Sequence, residues 1–151
     1  MKINLTKKEY GLLIDLLEIA DWVLNAYYPN ERKDVQKYKR LQQKIYSYAK
    51  QMGFNDLISY DKNFGQYFPS KKYEETSKIE DFIQEFENNC FWEELIERLT
   101  ERDFIKQEGL FLKKMTKEEF FQKYSQIREK YEEEFSKNGL ANLYVRNPNK
   151  S

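Results

Sequence analysis

The sequence predicts an all-α protein: a single-domain bundle of about five helices with one long aromatic-rich connection over residues 54–76. Leu, Glu, Lys and Gln, which favour helices, are plentiful, whereas the β-branched residues that strands favour are few apart from isoleucine. Apolar residues also recur at helical spacing over several long segments. Short capping motifs mark where these segments begin, and glycines mark where they end.

The helix starts are predicted by capping boxes. In the segment that begins at Thr6, the threonine hydroxyl is placed to accept from the amide of Glu9, and the glutamate to reach back. The same pattern recurs at 77–80 and 116–119. Glycines that follow periodic segments predict the ends, namely Gly53, Gly109 and Gly139. The helices so bounded lie at about 7–27, 31–52, 77–88, 90–108 and 117–137, and the third and fourth are alternatively one kinked helix.

The apolar faces predict which helices lie inside the bundle. The first helix is apolar over roughly two thirds of its circumference, which is typical of a central helix; its apolar residues are Leu12, Leu13, Leu16, Leu17, Ile19, Ala20, Val23, Leu24 and Tyr27. The second carries a narrower stripe, typical of an outer helix, formed by Val35, Tyr38, Leu41, Ile45, Tyr48, Ala49 and Met52. We expect one domain over residues 1–145 and a flexible polar tail over 146–151.

Composition excludes several classes of function. The chain has 151 residues with one cysteine and no histidine, which removes most nucleophile–base pairs and nearly all zinc sites. Its 26 basic and 26 acidic residues cancel, so overall charge does not favour nucleic acid or anionic membranes. Phosphate-binding glycine loops and long apolar segments are missing from the sequence. We therefore expect a cytoplasmic, non-enzymatic protein that needs no cofactor or metal and does not contact a membrane.

The aromatic residues predict a contact surface. The chain carries twelve tyrosines, eleven phenylalanines and two tryptophans. Trp22 projects from the narrow polar strip of the first helix, and the 54–76 connection mixes aromatic residues with turn formers. Aromatic residues on a loop or in a polar strip are typical anchors for a protein partner, although rings that fold back onto the core would show the same pattern. The candidate contact set is Trp22, Tyr60, Phe64, Tyr67 and Phe68.

Two other patterns support alternative functions. Four basic residues form one ridge of the second helix, Lys33, Lys37, Arg40 and Lys44, which suggests contacts with nucleic-acid phosphates. The fourth helix carries acidic residues on one side, Glu93, Glu94, Glu97, Glu101 and Glu108, which suggests a hydrolase with a carboxylate-bound divalent metal. Pairing of these two charged faces would give a homodimer. The favoured hypothesis is a protein-binding module, such as a small inhibitor, immunity-type or adaptor protein, with nucleic acid as a weaker candidate partner.

Overall fold

The mainly helical class is confirmed. A computed structural model of the chain describes residues 3–28, 32–111 and 114–144. Within these ranges it contains five α-helices and one two-stranded hairpin: α1 (Lys7–Asn25), α2 (Gln36–Tyr46), β1 (Ile58–Asp61), β2 (Gln66–Pro69), α3 (Lys71–Thr76), α4 (Ile79–Glu108) and α5 (Lys117–Asn138). A short 3-10 turn, Lys33–Val35, leads into α2.

Contacts between Cα atoms group the chain into two compact units, Met1–Gln84 and Glu85–Ser151, which we describe separately. The prediction of a single domain over 1–145 stays a prediction. The predicted flexible tail, 146–151, lies outside the described residues.

Two of the predicted capping boxes are present. The Thr6 hydroxyl accepts from the Glu9 amide at 3.3 Å, and the Glu9 carboxylate accepts from the Thr6 amide at 2.8 Å. Thr116 and Glu119 repeat this exchange at 3.2 and 2.8 Å at the start of α5. The box predicted at 77–80 differs, because the Ser77 hydroxyl accepts from the amide of Ile79 instead. Two of the three starts were therefore predicted correctly in atomic detail.

The observed helix boundaries differ in places from the predicted ranges. The third and fourth predicted segments form one helix, α4, as the alternative prediction expected, and this helix runs through residues 88–90 without interruption. The second predicted helix ends early, at Tyr46, and hydrogen-bonded turns continue to Gly53, which has a positive φ of 77°. The segment predicted as one long connection, 54–76, contains β1, β2 and α3.

The core of the first unit forms between α1, α2, the hairpin and α3. Its buried side chains are Tyr10, Ile14, Tyr46, Ala49, Ile58 and Tyr73. Gly11 allows close packing there, because a Cβ at this position would lie 3.1 Å from the ring of Phe54. Part of the predicted apolar face of α1 is exposed, since Leu12, Leu16 and Val23 are 55–63% exposed.

The buried face of α2 also differs from the predicted stripe. Tyr38 and Leu41 are half exposed, at 50% and 53%, whereas Gln42 and Tyr46 are buried. The predicted stripe is partly correct, since Val35 and Ala49 are buried, but it omits Gln42 because glutamine is polar. A buried amide is stable when its hydrogen bonds are satisfied, as those of Gln42 are by other side chains of the first unit.

In the second unit, α5 pairs with the part of α4 that follows residue 84. Trp92 contacts Phe135, with ring centroids 5.6 Å apart, whereas Phe104, further along α4, contacts Phe120 near the start of α5. Because the partners occur in opposite order along the two helices, the helices are antiparallel. Ile96 and Ile127 complete the buried apolar contacts.

Candidate protein-binding site

The aromatic connection folds into a hairpin with rings near its turn. β1 and β2 are antiparallel, and Tyr60 lies opposite Tyr67 with ring centroids 4.9 Å apart. In the turn, the carboxylate of Asp61 accepts from two backbone amides, at 2.7 and 3.3 Å, the second being that of Phe64. This side chain closes the turn in the way that aspartate favours. The ring of Phe64 then meets the edge of Phe68, at a centroid distance of 5.9 Å.

The hairpin is held on the first unit by one side chain of α2. The amide of Gln43 donates to the Tyr67 carbonyl at 2.8 Å and accepts from the Tyr67 amide at 2.7 Å. At the base of the hairpin, Ile58 is 3% exposed in the core, and the amide of Ser70 donates to the carbonyl of Leu57 at 2.8 Å. The hairpin therefore has a fixed position within the first unit.

The rings of the candidate contact set differ in exposure. Phe64 is 72% exposed, Tyr60 52% and Phe68 38%. Tyr67 is half-buried and packs against the core of the first unit. Trp22 is also half-buried, and its ring lies 6.2 Å from that of Tyr27. The hairpin thus presents three rings to solvent, and the other two members of the set are partly covered.

Trp22 and the hairpin border two neighbouring cavities of the first unit. The Trp22 cavity, of about 320 Å³, is lined by Trp22 together with residues of α3 and the start of α4. The Tyr67 cavity, of about 340 Å³, is lined by Tyr67, Phe68 and residues of α1 and α2. Glu18, Asp21 and Pro69 line both cavities. Trp22 and β2 are therefore close together, whereas Tyr60 and Phe64 line neither cavity.

A polar network that the sequence analysis missed lies between these cavities. The Tyr46 hydroxyl donates a short hydrogen bond to the Glu18 carboxylate, and the amide nitrogen of Gln42 donates to the same oxygen at 3.0 Å. Nearby, the Tyr73 hydroxyl donates to the carboxylate of Asp15 at 2.6 Å. The available signal was the presence of Asp15 and Glu18 on the narrow polar strip of an otherwise apolar helix. Nothing in the sequence pattern identified their partners.

Burial changes the acid–base properties of this network. It raises the pKa of Glu18, with further increases from the negative charges of Asp21 and Asp15, against the lowering effect of the hydrogen bonds from Tyr46 and Gln42. Burial likewise raises the pKa of the Tyr46 hydroxyl, and the nearby Glu18 charge raises it further. Tyr46 is therefore a neutral hydrogen-bond donor to Glu18.

The structure also places the residues of the two alternative hypotheses. All four residues of the basic ridge are exposed: Lys33, Lys37, Arg40 and Lys44. The ammonium group of Lys37 lies 5.1 Å from the ring centroid of Tyr38. The ridge is thus accessible to a ligand.

Four glutamates of the predicted acidic face of α4 have partners within the second unit, namely Glu93, Glu94, Glu97 and Glu108. Arg128 donates to Glu93 at 2.7 Å and to Glu97 at 2.9 Å, and Lys123 pairs with Glu108 at 2.7 Å. Among the residues that the structure describes, no group of three or more carboxylate or thiol side chains is arranged to hold a metal ion. The pairs that Arg128 and Lys123 form hold α4 and α5 together.

Comparison with known proteins identifies no relative: no protein-family model, curated protein or solved structure matches this chain. In the described part of the chain, no helix is both long enough and apolar enough to span a membrane.

Proposed function

We propose that this chain is a non-enzymatic protein-binding module, of the inhibitor, immunity or adaptor kind, whose contact surface is the aromatic hairpin with the neighbouring Trp22 region. The observation that carries the proposal is the combination of exposed rings with a fixed backbone. Phe64, Tyr60 and Phe68 are substantially exposed, yet Gln43 and Ile58 hold the strands that carry them.

This combination suits recognition of a protein partner for two physical reasons. Burying an aromatic ring in an interface removes a large apolar area from water, and rings are frequent anchors of interfaces. A hairpin that is already ordered loses little conformational entropy on binding, so more of that gain appears as affinity. An exposed ring on a mobile segment would lack the second advantage.

The test compares two double variants that remove the same chemical groups. Phe64→Ser with Phe68→Ser alters the hairpin, and Phe86→Ser with Phe121→Ser alters two comparably exposed rings of the second unit, 58% and 66% exposed in the wild type. Each tagged chain captures proteins from a nuclease-treated lysate of the native host. We expect the wild type and the second variant to capture a stoichiometric partner. The hairpin variant should capture at least about tenfold less of it.

Thermal unfolding of all three chains accompanies the capture. We expect the hairpin variant to keep the midpoint of the wild type, since neither ring belongs to the buried core. Equal capture by the hairpin variant and the wild type would refute the proposal, as would equal loss in both variants. Tyr67 is unsuitable for this test because its ring packs against the core.

The exposed basic ridge supports nucleic acid as the second candidate partner. Under that hypothesis, capture disappears after nuclease treatment and weakens steeply with salt concentration. Charge reversal by Lys37→Glu with Arg40→Glu would then abolish binding, and the hairpin variant would bind normally. These outcomes are opposite to those expected for the hairpin surface.

A further inference from the structure

The Trp22 cavity has an unusual distribution of charge. Four carboxylate side chains line it, contributed by α1, α3 and α4: Glu18, Asp21, Glu74 and Glu80. Its described lining residues include neither lysine nor arginine. Among the described residues, none of these four carboxylates takes part in an ion pair, in contrast to the glutamates of the second unit. Within the part of the chain that the structure describes, the cavity is therefore a concave site of negative potential without a cationic side chain.

Glu18 sets the character of this site. Its side chain is half-buried, and burial together with the charges of Asp21 and Asp15 raises its pKa. A carboxylate that is partly removed from water is stabilised by a nearby cation more than an exposed carboxylate is, because the local dielectric constant is lower. A positively charged group in the cavity would supply that stabilisation.

The other walls of the cavity indicate the kind of cation. Trp22 lines the cavity, and the tryptophan ring is the one to which cations bind best; Pro69, Ile79 and Ile83 supply apolar surface for an aliphatic stem. A volume of about 320 Å³ exceeds what a bare ion needs and lies in the range of sites for organic groups. A guanidinium group combines a flat face for the indole ring with donors for several carboxylates at once.

We propose that the Trp22 cavity receives an arginine side chain of the protein partner, with the guanidinium against Trp22 and among the carboxylates of Glu18, Asp21, Glu74 and Glu80. This inference rests on the proposed function for the source of the arginine. It gives the partner a chemical signature, an arginine within a segment whose apolar residues contact the hairpin.

The direct test uses capped pentapeptides, Gly-Ser-Xaa-Ser-Gly, in which Xaa is arginine, lysine or citrulline. Citrulline keeps the shape of arginine without its charge. The Trp92→Phe variant leaves Trp22 as the only indole, so its N–H resonance reports binding. We expect saturable shifts with the arginine peptide, and binding at least about tenfold weaker with citrulline. Equal binding of the three peptides, equal binding of lysine and arginine, or no shift at all would overturn the assignment.

Matched charge variants locate the site. Glu74→Gln with Glu80→Gln removes two carboxylates of the cavity, and Glu118→Gln with Glu129→Gln removes two exposed carboxylates of the second unit. Both variants change the net charge equally. We expect the first to weaken the arginine peptide at least about fivefold and the second to leave it unchanged. Equal weakening by both would show nonspecific attraction and would overturn the proposal.

The two proposals fail in different ways. In one outcome, the arginine peptide binds selectively, Phe64→Ser with Phe68→Ser leaves this binding intact, and the lysate contains no hairpin-dependent partner. This outcome would support the arginine site and refute the proposed function. Hairpin-dependent capture that survives Glu74→Gln with Glu80→Gln, together with no response to the arginine peptide, would remove the arginine site alone.

Discussion

Glu18 in the first unit and Glu97 in the second each accept a hydrogen bond from a tyrosine, yet their surroundings differ. Tyr46 donates to Glu18, and Tyr124 donates to Glu97 at 2.6 Å. Glu97 is half-exposed and also pairs with Arg128 at 2.9 Å, whereas Glu18 is half-buried and has no cation among the described residues. The arrangement around Glu97 includes its own cation, whereas Glu18 has only neutral hydrogen-bond donors among the described residues.

The largest expected effect compares the two tyrosines. Tyr46 is 1% exposed and Tyr124 is half-buried. We expect Tyr46→Ala to lower the free energy of unfolding by about 3–5 kcal/mol, because it leaves a cavity in the core. Tyr124→Ala should cost roughly 1–2 kcal/mol, since less area is lost from contact.

Single-tryptophan backgrounds measure the two units separately in urea. Trp92→Phe leaves Trp22 to report the first unit, and Trp22→Phe leaves Trp92 to report the second. Equal losses for the two tyrosine variants would show that the tyrosines have equivalent structural roles and would contradict the comparison.

The next effect concerns how the hairpin is held. Gln43→Ala removes the donor and the acceptor that bind the backbone of Tyr67. We expect a loss of about 1–3 kcal/mol and faster hydrogen exchange at the Tyr67 amide. Gln43→Glu keeps the acceptor but not the donor, so its stability should lie between those of the wild type and Gln43→Ala. Unchanged hydrogen exchange at the Tyr67 amide in Gln43→Ala would mean that the hairpin stays ordered without the Gln43 side chain.

The helix caps provide a comparison in which the units should agree. Thr6 and Thr116 make the same reciprocal exchange at the starts of α1 and α5. Replacing either threonine with alanine should cost roughly 1 kcal/mol in its own unit. The tryptophan reporter of the other unit serves as the control in each case. A loss of stability at only one of the two sites would show that the same capping box contributes differently in the two units.

The smallest expected effects are the stability changes caused by Glu18→Gln and Glu97→Gln, which should have opposite signs at pH 7. Because burial and the charges of Asp21 and Asp15 raise the pKa of Glu18 above its ordinary value, the folded state binds this proton more readily than the unfolded state. Glu18 therefore contributes less stability as pH rises through its raised pKa. We expect Glu18→Gln to stabilise the first unit at pH 7, with a gain that disappears as pH falls through that pKa.

The matched change in the second unit should act in the opposite direction. Glu97→Gln weakens an exposed pair with Arg128, so it should destabilise by no more than about 1 kcal/mol and less in high salt. Urea titrations between pH 4 and 8 measure both variants against the wild type. Destabilisation by Glu18→Gln at pH 7 would show that its hydrogen bonds outweigh the effect of burial.

Local signals predicted the helices well. Thr6 and Thr116 identified two starts in detail, and Gly139 has the positive φ, 53°, expected after a helix. These signals involve residues within one turn of each other, so the sequence alone contains the interacting groups. The continuity of α4 was ambiguous in the sequence because residues 88–90 are neither strong helix formers nor helix breakers.

The site depended on partners that are distant in the chain. The Glu18–Tyr46 pair spans 28 positions and the Gln43–Tyr67 pair spans 24. A hydrophobic pattern leaves out polar side chains, so it omitted Gln42 from the inward face of α2 and could not identify Gln43 as the support of the hairpin. Trp22 and the hairpin aromatics were selected by residue type, and their role in binding a partner stays a prediction.

The pairing of Gln43 with Tyr67 also protects the hairpin against aggregation by strand addition. A sheet of two strands consists entirely of edges, and an unpaired edge is a template on which another molecule can add a strand. By taking both the donor and the acceptor of Tyr67, one side chain of α2 blocks such addition at the middle of β2. A chain without Gln43 would expose a short aromatic strand with free backbone groups, which is the starting point for aggregation.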